Sequence, residues 1–208
     1  MLPSREHPWP VALRPFPEEA MGSWLGRLAA FYQMSMKDFD RTNDLSLPWY
    51  RPNVGWLLMP PLASYTVARL SLLARISPDV IEAIQTPVEW ITYRTSLPFC
   101  GNCLFLNRVD VTAPRWIRAW LAPQSEHCTQ HDGPTYVAAY QLERCKNFAA
   151  VLKLASEQEE MRRWDEERIR RRDRYLRILE YERSASTNVN AASILGARKD
   201  GPVASRMV

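Results

Sequence analysis

The sequence has 208 residues, enough for one domain of good size or for two small domains that share an interface. Hydrophobic residues make up 46% of the chain, so it can bury a core, and no apolar run approaches the roughly 18 residues of a membrane span. The formal net charge of +4 fits contact with nucleic acid or an acidic protein surface, although many proteins that bind neither share it. The N-terminal residues lack the layout of a signal peptide, so a cytoplasmic protein is predicted.

The N-terminal segment carries five prolines up to Pro17, and it is predicted to be extended because proline blocks helix formation. The first helix is expected to begin at Pro17, since proline suits the first turn, with Glu18 and Glu19 complementing the helix dipole. Apolar residues then recur at helical spacing and form the predicted buried face: Met21, Trp24, Leu25, Leu28 and Phe31.

A turn at residues 32–34 is followed by Ser35, a plausible N-cap for a short second helix through Phe39. Helix, tight turn and short helix is the outline of a helix-turn-helix, whose second helix can enter a major groove. Lys37 and Arg41 supply positive charge there and are candidate contacts to nucleic acid or a partner. A purely structural or protein-binding role for this unit is the alternative.

The middle of the chain alternates irregular and helical segments. Residues 40–61 contain four prolines and are predicted to be irregular, whereas residues 62–74 show helical spacing with Val67, Leu70 and Leu73 on the inner side. The pair at residues 77–78, serine then proline, predicts the start of another short helix. A short strand is expected at residues 90–93.

Residues 97–131 hold three of the four cysteines and two of the three histidines. Cys100 and Cys103 form one pair, and Cys128 and His131 form the other; each pair can grip one metal ion from a tight turn. Two such pairs predict a closed, tetrahedral Cys3His site with one structural Zn²⁺. His127 could replace His131, but its position next to Cys128 gives a poorer chelate.

Three other interpretations of these cysteines stay open. Disulfides would need an oxidising compartment, and free thiols are often simply buried. A catalytic metal would need an open coordination position, which four protein ligands do not leave. Between the two pairs, residues 115–121 are predicted to be helical, so that Trp116 and Trp120, four positions apart, pack the metal segment onto the helical body.

A long helix is predicted from about residue 136 to about residue 183, with or without a break. Residues 143–183 contain 12 Lys or Arg and 10 Asp or Glu, a mixture typical of a solvated face held by i,i+4 pairs. Within it, a basic cluster could instead meet phosphates or an acidic partner through Arg168, Arg170, Arg171 and Arg172. Residues 184–208 are rich in Ser, Ala, Asn and Gly and are predicted to be disordered.

The predicted fold class is mainly α, with helix-turn-helix-like helical hairpins, a Cys3His zinc-finger module and a long charged C-terminal helix. The predicted domains are a helical domain at 1–95, the zinc-finger module at 96–135, a C-terminal helical segment at 136–183 and a tail at 184–208. No nucleophile–base pair, carboxylate dyad or phosphate-cradling glycine loop occurs in the sequence. A non-enzyme without a small-molecule substrate is therefore expected.

With these features in place, the chain resembles the TniQ family of transposition proteins. Residues 13–19, LRPFPEE, running into SWLGRLA at residues 23–29, are similar to the start of that family. Residues 70–84 resemble its second helical pair. The Cys100, Cys103, Cys128 and His131 spacing, with the two tryptophans between the pairs, is similar to its zinc signature. The likeness covers residues 13 to about 148.

The resemblance implies a bacterial adaptor that links target-site recognition to a TnsC-type AAA+ ATPase, which recruits the transposase. The recognition module would be a CRISPR effector complex or a TnsD-like protein, and the assembly would form on DNA. The alternative is a stand-alone helix-turn-helix DNA-binding regulator; a zinc hydrolase is a more distant third. The chain departs from the family at Gly101, where members commonly have proline, and in having only Cys145 where many have a second cysteine pair.

Overall fold

The computed structural model describes residues 7–48, 55–105, 114–125, 128, 131 and 135–196, without the side chains of 182 and 184–196. Backbone contacts group the chain into two compact units, Met1–Glu160 and Met161–Val208. The predicted boundaries at residues 95 and 135 both lie inside the first unit.

The described chain is mainly helical, as predicted. Seven helices lie within the described residues, together with single 3-10 turns at Val88–Trp90 and Arg118–Leu121. In order, the helices are α1 Met21–Phe31, α2 Met36–Asn43, α3 Ser64–Ala74, α4 Pro78–Ala83, α5 Gly101–Phe105, α6 Ala139–Leu142 and α7 Phe148–Gly196. Two short strands, β1 Ser96–Phe99 and β2 Thr135–Ala138, form an antiparallel pair in which Phe99 lies opposite Thr135.

Helix α1 is largely buried in the core of the first unit. Eight of its eleven residues are buried, including Trp24, Leu25 and Leu28 from the predicted face, whereas Phe31 is half-exposed. Two glycines allow a neighbouring segment to come very close: a Cβ atom on Gly26 would lie 2.5 Å from the Trp56 ring. The indole of Trp56 in turn donates to the carbonyl oxygen of Cys145 at 2.9 Å. The loop that precedes α7 is thereby tied to the core.

Helix α1 begins at Met21 rather than at Pro17, because the preceding backbone is paired elsewhere. The N–H of Ala20 donates to the carbonyl of Trp116 at 2.8 Å, and the N–H of Arg118 donates to the carbonyl of Glu18 at 2.7 Å. Residues 18–20 are therefore held in extended contact with residues 116–118, and Glu19 forms a β-bridge with Ile117. This long-range pairing prevents an earlier helical turn.

The N-cap prediction at Ser35 is confirmed: its Oγ accepts a hydrogen bond from the N–H of Asp38 at 3.1 Å. Helix α2 continues past the predicted end at Phe39 to Asn43. It ends there because Asp44 adopts a left-handed conformation, with φ of 49°. Helices α3 and α4 lie close to their predicted positions, and α4 has Pro78 in its first turn.

Three sequence-based assignments are wrong. Residues 90–93 form no strand, and the strand lies later, at Ser96–Phe99. The chain at residue 136 is strand β2, so the long helix begins only at Phe148. That helix ends at Gly196 rather than at 183, so residues 184–196 of the predicted disordered tail are helical, while 197–208 lie outside the described residues.

A buried ion pair links α1 to the segment before it. The carboxylate of Glu19 is completely buried and accepts hydrogen bonds from Ser23 Oγ at 2.8 Å and from Arg27 Nε and Nη2 at 2.8 and 2.7 Å. The Arg27 guanidinium also lies over the Phe16 ring, 5.1 Å from its centroid. Ser23 Oγ also accepts a hydrogen bond from the N–H of Trp116 at 2.9 Å. The hydrogen bonds around Glu19 therefore extend to the spacer between Cys103 and Cys128.

We expect Arg27→Ala to lower the free energy of unfolding by about 3–5 kcal/mol, since it leaves the buried Glu19 carboxylate without its counter-ion. Arg41→Ala is the matched control, because the Arg41–Asp38 pair is exposed and should contribute less than about 1 kcal/mol. Urea denaturation of both variants measures the difference. Equal losses in the two variants would contradict the role given to the Glu19 network.

Candidate metal centre

The first pair of cysteines lies where β1 gives way to α5. Cys100 directly follows the strand, and Cys103 lies one helical turn later, with the N–H of Leu104 bonded to the carbonyl of Cys100 at 2.9 Å. A turn of this kind brings residues three apart onto one side, so both sulfur atoms face the same point. Cys100 is buried and Cys103 is partly exposed.

The second pair is brought to that point by the strand pairing. Thr135 of β2 lies opposite Phe99 of β1, so the strand that begins four residues after His131 pairs with the strand that ends just before Cys100. Cys128 and His131 are both partly exposed and contribute one sulfur and one nitrogen atom. His127, the alternative ligand, lies outside the described residues.

The four ligand atoms lie within 4.8 Å of one another. The Cys103 and Cys128 sulfurs are 3.5 Å apart, and His131 Nδ1 lies 3.5, 3.3 and 3.7 Å from the sulfurs of Cys100, Cys103 and Cys128. Tetrahedral zinc with bonds of about 2.3 Å to sulfur and 2.0–2.1 Å to nitrogen would put neighbouring ligand atoms roughly 3.5–3.8 Å apart. The residues therefore fit one tetrahedral metal ion.

The cysteine sulfurs are not joined to one another. None of the four cysteines, all of which lie in the described residues, forms a disulfide, and 3.5 Å between the Cys103 and Cys128 sulfurs far exceeds the roughly 2.05 Å of an S–S bond. Burial raises the pKa of the Cys100 thiol, and burial together with the neighbouring Cys128 and Cys100 sulfurs raises the pKa of the Cys103 thiol strongly. Both groups therefore hold protons in the metal-free protein, and a metal ion must displace them to bind.

The two tryptophans of the spacer pack against each other without the predicted α-helix: Trp120 lies in the 3-10 turn Arg118–Leu121, and Trp116 lies just before it. Trp116 is fully buried and Trp120 nearly so, and their rings meet edge to face at 5.7 Å. The Trp116 ring also packs on Phe99 at 5.5 Å, next to the first ligand. The metal segment is thus anchored to the core on its apolar side.

Cys145 lies apart from the four-residue cluster. It is buried and free, and its thiol donates to the carbonyl oxygen of Gln141 at 3.5 Å. Burial raises the pKa of this thiol as well. Among the described residues, Cys100, Cys103, Cys128 and His131 form the one group of three or more His, Cys, Asp or Glu side chains that could hold a metal ion.

The candidate contact residues of α2 are exposed, and one of them is paired. Lys37 and Arg41 both face solvent, and Arg41 binds the Asp38 carboxylate at 3.0 Å. Two lysine or arginine residues and two aspartates make the net charge of α2 zero. This helix therefore presents no concentrated positive surface.

The arginine cluster of α7 belongs to the second unit and is exposed along its length. Arg168 binds Asp165 at 3.1 Å, Arg170 lies 3.8 Å from Glu166, and Arg171 binds Glu167 at 2.9 Å. The hydrogen bond and charge of Arg171 hold the pKa of Glu167 below its ordinary value. Arg172 forms no ion pair with a residue of the described chain, so it is the least compensated member of the cluster.

Two buried carboxylates were missed at the sequence level. Glu19 precedes Ser23 and Arg27 by four and eight positions, a helical spacing that could have indicated their contact. Glu159 falls on the same helical face as the buried residues Phe148, Val151 and Ala155. A carboxylate on an otherwise apolar face is a signal of a buried polar contact.

Comparison with known proteins gives one match. The TniQ family model matches residues 10–133, which include α1 to α5 and all four ligand residues. No curated protein and no solved structure matches the chain. None of the helices in the described part of the chain is both long and apolar enough to cross a membrane.

We expect Cys100→Ser to lose the bound metal and to lower the thermal stability and solubility of the protein, since a structural metal contributes folding free energy directly. Cys145→Ser is the control, because it removes a buried thiol that lies outside the cluster. Metal content by mass spectrometry and melting temperature are the measurements. A Cys100→Ser variant that keeps one metal per chain and melts like the wild type would overturn the assignment.

Proposed function

The chain belongs to the TniQ family, and on this premise we propose that it links target-site recognition to a TnsC-type AAA+ ATPase, and so to the transposase. TniQ proteins are non-catalytic adaptors associated with DNA transposition. The observation that carries the proposal is the extent of the family match, which runs from the N-terminal segment through the whole metal centre. Recognition would come from a CRISPR effector complex or a TnsD-like protein.

We propose Zn²⁺ as the resident ion. Three thiolates and one imidazole form a donor set that suits zinc, and four protein ligands leave no position for water or substrate. The bound ion would hold together two chain segments that are far apart in sequence. Such a closed site supports a structural role rather than zinc-dependent hydrolysis.

Two sets of exposed basic residues are proposed as contacts to DNA or to partner proteins. The first is Lys37 and Arg41 on α2. The second is the arginine cluster of α7, where Arg172 is free of described ion pairs and the other members share nearby carboxylates. A phosphate or an acidic side chain of a partner protein could replace those carboxylates at a small cost in free energy, because exposed ion pairs contribute little to stability.

The stand-alone DNA-binding regulator is the second candidate function, favoured by the Ser35-capped helix α2 that follows α1 across a tight turn. Electrostatics argue against it. A recognition helix normally carries an excess of cationic side chains that neutralise phosphates, whereas α2 has a net charge of zero. Specific duplex binding without partners, weakening steeply as salt is raised, would favour the regulator.

The test is a pull-down of the tagged full chain from its native host, with and without nuclease. We expect an AAA+ ATPase to be recovered in both conditions, together with a recognition subunit. Recovery of only nuclease-sensitive DNA enriched for one sequence would favour the regulator and overturn the adaptor proposal.

Alanine variants then separate the two sets of basic residues. We expect the α7 set to reduce recovery of DNA or of the partner severalfold, while the α2 set has the smaller effect, because α2 has no net positive charge. Equal recovery with the α7 set and with the wild type would contradict the proposed α7 contact. The α7 set is Arg168, Arg170, Arg171 and Arg172; the α2 set is Lys37 and Arg41.

A further inference from the structure

Glu159 is a buried charged side chain on α7 that the proposed function does not use. It is only 4% exposed, although its neighbour Glu160 is exposed. Its Oε2 accepts a hydrogen bond from Thr135 Oγ1 at 2.5 Å. A buried carboxylate without such donors is costly, so this contact is built into the fold rather than incidental.

The same carboxyl group of Glu159 also lies close to Gly101. A Cβ atom built on Gly101 would lie 2.5 Å from the carboxyl carbon and 2.7 Å from Oε2 of Glu159. Real Cβ atoms do not come that close, so a larger residue at this position would force the carboxylate to shift from its present place. Gly101 is itself buried at the first position of α5.

These two contacts touch both halves of the metal centre. Gly101 lies between Cys100 and Cys103, the first ligand pair. Thr135 follows the second pair, Cys128 and His131, and begins the strand that pairs with β1. Glu159 belongs to neither pair and is not part of the ligand cluster. The Glu159 side chain thus contacts a residue close to each of the two ligand pairs.

We propose that Glu159 is a positioning residue of the metal centre, which fixes the two ligand pairs relative to each other and couples metal binding to the first turns of α7. Residues that hold ligand-bearing segments in place act on metal affinity without touching the ion. Glu159 holds one segment by a hydrogen bond to Thr135 and the other by close packing on Gly101. When the ligands bind a metal, the same contacts hold α7 against the site.

The test uses the full chain loaded with zinc and measures the rate at which a chromogenic chelator removes the ion. We expect Glu159→Ala and Thr135→Val each to accelerate release about tenfold, since loss of such outer contacts costs at least that much affinity. Glu159→Gln, which keeps the size and an acceptor for Thr135, should release zinc at nearly the wild-type rate. Glu160→Ala is the matched control and should leave the rate unchanged.

A double-mutant cycle tests the contact with Gly101. Gly101→Ala should accelerate release in the wild-type background, because the new Cβ displaces the carboxylate. In the Glu159→Ala background that space is vacant, so the same substitution should change the rate little. Equal effects of Gly101→Ala in the two backgrounds would contradict the proposed contact. The spectrum of the Co²⁺-substituted protein should shift in the single variants, as their ligand geometry changes.

Two outcomes separate this proposal from the metal centre on which it depends. If the wild-type chain binds neither Zn²⁺ nor Co²⁺, the metal centre itself is wrong. If the wild type binds zinc and Glu159→Ala lowers only the melting temperature while releasing zinc at the rate of Glu160→Ala, the metal centre stands and the positioning role is wrong. Should Glu159→Ala fail to fold, the nearly isosteric Thr135→Val carries the same test.

Discussion

The first unit depends on a carboxylate placed where no water reaches it. Glu19 binds Ser23 and Arg27 of α1 at 2.7–2.8 Å, and the same residue pairs its backbone with Ile117. A buried carboxylate is tolerated only when donors surround it, so the burial of Glu19 requires α1, the N-terminal segment and the spacer to assemble together. The residues that make up the SWLGRLA stretch thus have a physical role: Ser23 and Arg27 supply those donors, while Trp24 and Leu25 fill the core.

The metal centre repeats this arrangement with a second carboxylate. Cys100 and Cys103 come from the β1–α5 turn, and Cys128 and His131 come from the chain that enters β2. The spacer between the pairs is held to α1 through Trp116, and Glu159 of α7 lies against the chain on both sides of the site. A metal ion bound there would stabilise the strand pairing and the packing of the core together.

The close approach of Glu159 also gives a physical reason for glycine at position 101. A Cβ atom at position 101 would enter the space that the Glu159 carboxyl group now occupies, so the carboxyl group would have to shift. Gly101 and Glu159 therefore form a matched pair in this chain.

The exposed positive charge of α2 and α7 is largely balanced by nearby carboxylates. On α2 two basic residues are matched by two aspartates, and on α7 Arg168, Arg170 and Arg171 each pair with a carboxylate about one turn away. Arg172 is therefore the least compensated member of the arginine cluster.

The sequence alone determined what depends on short-range chemistry. The four candidate ligands follow from two tight chelating pairs, the cap at Ser35 from a serine ahead of a helix, and the helical face of α1 from the spacing of its apolar residues. Tertiary structure decided whatever depends on contacts between distant segments. The pairing of Phe99 with Thr135 made a strand at Thr135–Ala138, where a helix was expected from about residue 136, and the pairing of residues 18–20 with 116–118 delayed the start of α1. The burial of Glu19 and Glu159 was likewise decided by partners far along the chain, because a carboxylate on a helix is ordinarily solvated until another segment covers it and supplies its donors.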